Sequence, residues 1–194
     1  MAYDIKNVFY LDTSAAITKT QGGAGSAQLD LSAYIDPISR GRAKGTGLAI
    51  YKAHFAVHNT EDTNEVAPEN SETGCMAYSL QAGLGVGDNA TNAITVATGG
   101  FELTNNLLVA GGYYYGPASG QGLAGSNTAP MMQMYVEPSK DVPYVIVRDN
   151  VCLVYSVSDS AEFESTSVLS VRLECAQITL DQATLNQLLR TQTV

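Results

Sequence analysis

Apolar and polar residues alternate with a period of two along most of the chain, the signature of half-buried β-strands. In residues 27–35, Leu29, Leu31, Ala33 and Ile35 share one face, while Gln28, Asp30 and Ser32 take the other. Between Ala49 and Val57 the odd positions are Ala49, Tyr51, Ala53, Phe55 and Val57, and the even ones include Lys52 and His54, with His58 just beyond. One wet face and one apolar face predict antiparallel sheet. Further strands are predicted at 75–84, where Met76, Tyr78 and Leu80 share a face, at 92–97, around 101–109 and at 131–137. The closing set is the clearest. Segments 142–148 and 151–158 are joined by Asp149-Asn150, which predicts a tight hairpin because Asn and Asp tolerate positive φ. In 168–177, Leu169, Val171, Leu173 and Cys175 are expected inward, and Ser170, Arg172 and Glu174 outward.

The helical period emerges only in the tail. Thr179 and Gln182 have the spacing of a capping box, and Leu185, Leu188 and Leu189 follow as a narrow apolar stripe, so a helix is predicted over 179–190. A helix closing a β domain has to bury that stripe on its own domain or on a neighbour, and the pattern leaves both open. Two long connections interrupt the strands. Residues 59–74 hold Glu61, Asp62, Glu65, Glu69 and Glu72 without a cation, and 111–130 combine six glycines with Tyr113, Tyr114, Tyr115 and Pro117. Long loops in a compact domain are commonly working surfaces or contacts with other subunits.

Composition narrows the picture. A chain of 194 residues, 45% hydrophobic and 15% charged, suits one domain that needs neither disulfide nor metal to fold, and is too poor in charge for a disordered or coiled-coil chain. The formal charge is −9, and its ten cations are scattered. Wrapping nucleic acid requires clustered cations. The nearest approach to a cluster is Arg40, Arg42 and Lys44 in a glycine-rich stretch, which reads as a solvated loop. The first ten residues carry Asp4 and Lys6, and no apolar run reaches membrane-spanning length, so neither a signal peptide nor a membrane helix is predicted. Cys75, Cys152 and Cys175 are odd in number and lack CxxC spacing, which predicts free thiols, the state of a reducing compartment.

Candidate chemistry is sparse. His54 and His58 would be neighbours on a helix, but on a strand four residues span roughly 13 Å, too far to share a metal ion. With no other histidine, a Ser-His-Asp or Cys-His arrangement has only these two to draw on, and neither adjoins a nucleophile motif. Gly83, Gly85 and Gly87 give GxGxG rather than GxGxxG and lead into Asp88-Asn89 rather than a helix. Asp88, Asn89 and Asn92 lack the full calcium-loop pattern, and Glu162 and Glu164 lie in a polar turn. These observations predict no enzyme, no cofactor and no metal site.

Counting from Ala27 gives eight strands, at 27–35, 47–58, 75–84, 92–109 as one interrupted element, 131–137, 142–148, 151–158 and 167–177. Eight antiparallel strands in two packed sheets is the jelly-roll number. With its 48–59 strand, tight 142–158 hairpin, 168–177 strand and short helical tail, the chain resembles the single jelly-roll capsid proteins of icosahedral viruses. Lacking a basic N-terminal arm, it is most similar to the small major capsid proteins of tailless double-stranded DNA viruses with an internal membrane. The expected fold is therefore all-β: a single eight-stranded antiparallel jelly roll (two-sheet sandwich) with a short C-terminal helix. The expected organisation is an N-terminal arm or strand at 1–26, the jelly roll at 27–178 and the helical tail at 179–194.

The resemblance implies a virion structural protein that self-assembles into an icosahedral shell, made in the host cytoplasm and located in the virion. Its partners would be other copies of itself, with room for a second capsid protein and for an internal membrane close by, and without direct wrapping of the genome. Candidate subunit contacts are Tyr113, Tyr114 and Tyr115 with Leu185, Leu188 and Leu189. The alternative is a non-catalytic jelly-roll binding module, a spike or a receptor- or carbohydrate-binding domain, with Tyr113 to Tyr115 stacking on sugar.

Overall fold

The computed structural model describes residues 8–17, 22–36, 44–60, 75–83, 101–116, 131–158, 163 and 167–192. The strands are β1 (Phe9–Ala16), β2 (Ala24–Asp30), β3 (Lys44–Asn59), β4 (Cys75–Ala82), β5 (Leu108–Tyr115), β6 (Met131–Val136), β7 (Tyr144–Ile146), β8 (Asn150–Val157) and β9 (Ser167–Asp181), followed by helix α1 (Gln182–Thr191). They form a four-stranded sheet, β1-β9-β3-β7, and a five-stranded one, β2-β8-β4-β5-β6, antiparallel throughout. The pairs β1/β9, β2/β8, β3/β7 and β4/β5 are nested, as in one long hairpin rolled into two layers. That nesting is the jelly roll, with β6 added as a ninth strand at an edge.

The sheets face each other across one apolar core. Leu48, Ile50 and Ala53 of β3 and Leu169, Val171, Leu173 and Cys175 of β9 meet Met76, Tyr78 and Leu80 of β4 and Val151, Leu153 and Tyr155 of β8. Removing such side chains from water contributes about 1.5–3 kcal/mol each. The inward set on β9 is the one its alternation predicted.

Elsewhere the expected elements shift. The whole of β1 pairs with β9, from Phe9 opposite Cys175 to Ala16 opposite Val168, so it is a full member of the sandwich, outside the eight strands counted from Ala27. The strand expected at 92–109 begins at Leu108 and runs through the three consecutive tyrosines, which belong to β5 rather than to a loop. Residues 92–97, most of the acidic loop and 117–130 lie outside the described residues, as do Arg40 and Arg42.

The predicted 142–158 hairpin does not form. β7 pairs with β3 while β8 pairs with β2 and β4, so the chain crosses from one sheet to the other at Val147–Asp149. At this corner Leu31 N–H donates to the Asp149 carbonyl at 2.6 Å. Turn propensity is a local preference, whereas β8 gains a complete ladder on both sides by leaving β7.

A β-bulge explains why β3 departs from simple alternation. Ile50 faces Cys175 and Lys52 faces Glu174, leaving Tyr51 as the extra residue. Before it, Leu48 and Ile50 point into the sandwich; after it, Ala53 does, with Phe55 and Val57 packed alongside. Ala49 and Tyr51 instead bury their side chains on the outer face with Val147, Ala176, Ile178, Leu180 and Leu185. An extra residue inverts the phase of a period-two pattern, so the odd positions from 49 to 57 divide between two faces.

Glycine within the strands makes room for tyrosine. Gly112 lies opposite Tyr78 and Gly25 opposite Tyr155. A Cβ at Gly112 would lie 2.6 Å from the Tyr78 hydroxyl, and one at Gly25 would lie 2.5 Å from that of Tyr155. Both phenols find acceptors: Tyr78 donates along its own sheet to Met134 Sδ at 3.2 Å, and Tyr155 donates across the core to the Ala16 carbonyl at 2.7 Å. Gly112→Ala or Gly25→Ala is accordingly expected to destabilise the fold by about 1–3 kcal/mol through overpacking, read as a lowered urea midpoint at unchanged slope.

Candidate assembly surfaces

Three consecutive tyrosines on a strand cannot share a face. Tyr114 turns into the sandwich, 2% exposed, with its ring centroid 5.9 Å from that of Phe163, and burial pushes its phenol up to about 12. It belongs to the core and leaves the set of subunit contacts. Tyr113 and Tyr115 point outward, 38% and 40% exposed, with ring centroids 6.4 Å apart. Tyr135 of β6 joins them, 5.5 Å from Tyr113. It is positioned by a second bulge: Gly111 pairs with Val136 and Gly112 with Met134, which frees Tyr135 to lie over Gly111, where a Cβ would be 2.6 Å from its hydroxyl. Desolvation, then the neighbouring Tyr113, pushes the Tyr135 phenol up to about 12. Met131, 55% exposed, extends the patch to the start of β6. Of the tyrosines named as candidate contacts, Tyr113 and Tyr115 are outward; Tyr135 and Met131 were not named, and the Gly111-Gly112 pair on the neighbouring strand was the available signal for Tyr135.

The helix also differs from its predicted form. β9 continues to Asp181, and Asp181 rather than Thr179 is the N-cap, its carboxylate accepting from Thr184 N–H at 2.7 Å. Those hydrogen bonds hold the Asp181 carboxyl below its ordinary range. Leu185 is fully buried on the outer face of the β1-β9-β3-β7 sheet, against a cluster that includes Ala49, Tyr51 and Ile178. The close approach depends on Gly45, where a Cβ would lie 2.9 Å from a Leu185 methyl. Leu185 is thus spent on its own domain, and Leu188 and Leu189 are half-buried beside the same cluster.

Just beyond the helix, Gln192 acts as a substitute strand. Its buried side-chain amide donates to the Val145 carbonyl at 2.6 Å and accepts from Val147 N–H at 3.2 Å. These are alternate residues at the outer edge of β7, where a neighbouring strand would otherwise bond.

A third surface is polar. On the outer face of β1, β9 and β3, cross-strand rows place Tyr10 beside Glu174 and Lys52, and Asp12 beside Arg172 and His54. Tyr10, Asp12, His54, Arg172 and Glu174 line an open concavity of about 940 Å³ that also reaches His58. His54 Nε2 lies 3.0 Å from Glu174 Oε1. The hydrogen bond from His54, with the charges of His54, Lys140 and Lys52, holds the Glu174 carboxyl below its ordinary 4.5. Cross-strand pairing brings His54 to a carboxylate 120 positions away in sequence, which spacing along the chain does not reveal. The cysteines are free; burial pushes the thiols of Cys152 and Cys175 up to about 11 and about 12, which keeps them in the unreactive protonated form at neutral pH.

No protein-family model and no curated protein matches the chain. Among solved structures it is similar to VP1 of Trichodysplasia spinulosa-associated polyomavirus in complex with GM1 oligosaccharide, at 6% identity and a TM-score of 0.43, over 93% of this chain and 99% of that one. It is similar to Merkel cell polyomavirus VP1 in complex with GD1a oligosaccharide at 7% identity and a TM-score of 0.44, with the same coverages of 93% and 99%. Turnip yellow mosaic virus follows at 12% identity and a TM-score of 0.32, over 91% of this chain and 94% of that one. At TM-scores this low these likenesses carry none of the fold assignment, which stands on the nested strand pairing.

Gln192→Ala leaves the Val145 carbonyl and the Val147 N–H without their amide partner, so a loss of about 1–3 kcal/mol in unfolding free energy and faster hydrogen exchange at Val147 N–H are expected. For Glu174 the folded pKa is depressed, so its contribution is present above the ordinary 4.5 and lost as pH falls through the lowered value. A titration of stability across that acid limb should flatten in Glu174→Gln.

Proposed function

We propose that this chain is a structural capsid protein, a single jelly roll that assembles with copies of itself into an icosahedral virion shell. The observation that carries this reading is that, among the large apolar side chains left outward, Tyr113, Tyr115 and Met131 lie together on the paired strands β5 and β6, while Tyr10, Leu103 and Val142 stand elsewhere. Protein interfaces are enriched in tyrosine and methionine, and large apolar side chains grouped on a monomer's surface mark an interaction site. Leu188 and Leu189, half-buried on the helix, are secondary contacts in the same reading.

The charge balance supports a finer assignment. With a formal charge of −9, the chain suits a shell that leaves genome packing to other components, as in tailless double-stranded DNA viruses with an internal membrane. A second capsid protein and a nearby membrane belong to that assignment, as do synthesis in the host cytoplasm and residence in the virion. Among the described residues no helix is long and apolar enough to cross a membrane. The proposal gives the chain no catalytic role. The outward Tyr113 and Tyr115 rings also favour a second reading, a carbohydrate-binding module that stacks sugar on them.

Light scattering and negative-stain microscopy of the purified chain across salt and pH separate the two. Particles or large closed oligomers are expected, and Tyr113→Ser with Tyr115→Ser is expected to lower assembly at least tenfold while leaving the circular dichroism spectrum unchanged. A strictly monomeric or trimeric chain that binds a glycan array through the same tyrosines would overturn the shell reading.

A further inference from the structure

The edges of the two sheets are not protected alike. β7 has only three residues and is plugged by the Gln192 amide. The stretch of β3 that extends past β7 carries Lys52, His54 and His58. On the other side of the sandwich β1 carries Asp12 and β2 ends on Asp30. Short strands, charges and blocking groups are the devices by which proteins prevent edge-to-edge pairing. β6 is itself short and bulged at Tyr135, but it has no charge, proline or blocking group: Met131–Val136 reads MMQMYV, and among the described residues no strand pairs with it on its outer side.

We propose that β6 is the edge at which two copies of this chain join, its outer backbone groups pairing antiparallel with β6 of a second copy. This deepens the shell reading and rests on it. A strand pairing with its own copy across a two-fold axis must run antiparallel, and each residue then meets its counterpart's surroundings. Any charge near the middle of such a strand would face a like charge in the partner. β6 is neutral along its whole length, whereas two copies with a formal charge of −9 repel each other in general, so the neutral edge is where close approach costs least. Pairing there joins two five-stranded sheets into one of ten strands and brings Met131, Tyr113 and Tyr115 of both copies towards the seam. Met132 and Met134 face the core and hold β6 in place, while Gln133 is exposed at the middle of the strand.

The test uses the full chain. Gln133→Lys places like charges against each other at the middle of the paired strands, and should raise the concentration needed for assembly at least tenfold with unchanged circular dichroism and urea midpoint. Ser14→Lys, on the edge strand of the other sheet, should assemble as the wild type does. As a measurement independent of any variant, the amides of residues 131–136 should gain hydrogen-exchange protection when the wild-type chain assembles. Wild-type assembly unaffected by Gln133→Lys, with no added protection at 131–136, overturns the β6 edge and leaves the shell reading standing. A wild-type chain that stays monomeric under every condition overturns both.

Discussion

The ladder between β3 and β9 is the constraint on which the rest of the molecule depends. It pairs residues from Lys44 with Asp181 to Asn59 with Ser167, and it forms the centre of its sheet, with β1 added on one side and β7 on the other. Both strands outrun the sandwich. Along one part of the ladder the inner face is buried by the opposite sheet and the outer face is wet, as Arg172 and His54 show; further along, Ala176, Ile178 and Leu180 bury the outer face under α1. The bulge at Tyr51 lets a single strand serve both environments, because one extra residue moves every later side chain to the opposite face. With the helix seated there, Gln192 reaches the β7 edge.

The abundance of glycine and tyrosine takes its meaning from the same geometry. Glycines would be expected at turns, yet Gly25, Gly111 and Gly112 lie within strands, each beneath a tyrosine ring from a neighbouring strand. A tyrosine laid over a glycine covers backbone that has no side chain of its own, and it carries a hydroxyl across the sheet or the core to a distant acceptor. On the inner face this gives Tyr78 and Tyr155 fixed places in the core; on the outer face it gives Tyr135, and with it an aromatic surface.

That surface and the sheet edges connect the fold to the proposed shell. A jelly roll buries its inner faces but leaves edges and outer faces to be managed separately. Here most edges are shortened, charged or plugged, and Tyr113, Tyr115, Tyr135 and Met131 gather at β5 and β6, while Tyr10 stands outward on β1. The polar face across β1, β9 and β3 has the opposite character, with Asp12, Arg172, His54 and Glu174 in cross-strand rows that keep it wetted.

Much of the sandwich was legible in the chain itself. Where one face is buried by the opposite sheet and the other meets water, as in Leu169 to Cys175, period-two alternation named the inward residues correctly, and the two-sheet jelly roll with its terminal helix followed from it. Free cysteines and the leucine stripe of the helix were readable for the same reason: each depends on local spacing. Pattern misled where a residue's surroundings come from distant strands. Asp149-Asn150 has the residues of a hairpin turn but forms a corner, because β8 finds two long partners elsewhere. Tyr114 looks like its neighbours but belongs to the core, and Leu185 to its own domain rather than to another subunit. Sequence by itself determined which segments are extended and which faces are apolar, since these follow from side-chain chemistry at fixed intervals. Only the tertiary structure decided which strands pair, where a bulge inverts the pattern, and which edge is left open, since those outcomes depend on contacts between strands that local spacing does not encode, some of them more than a hundred positions apart.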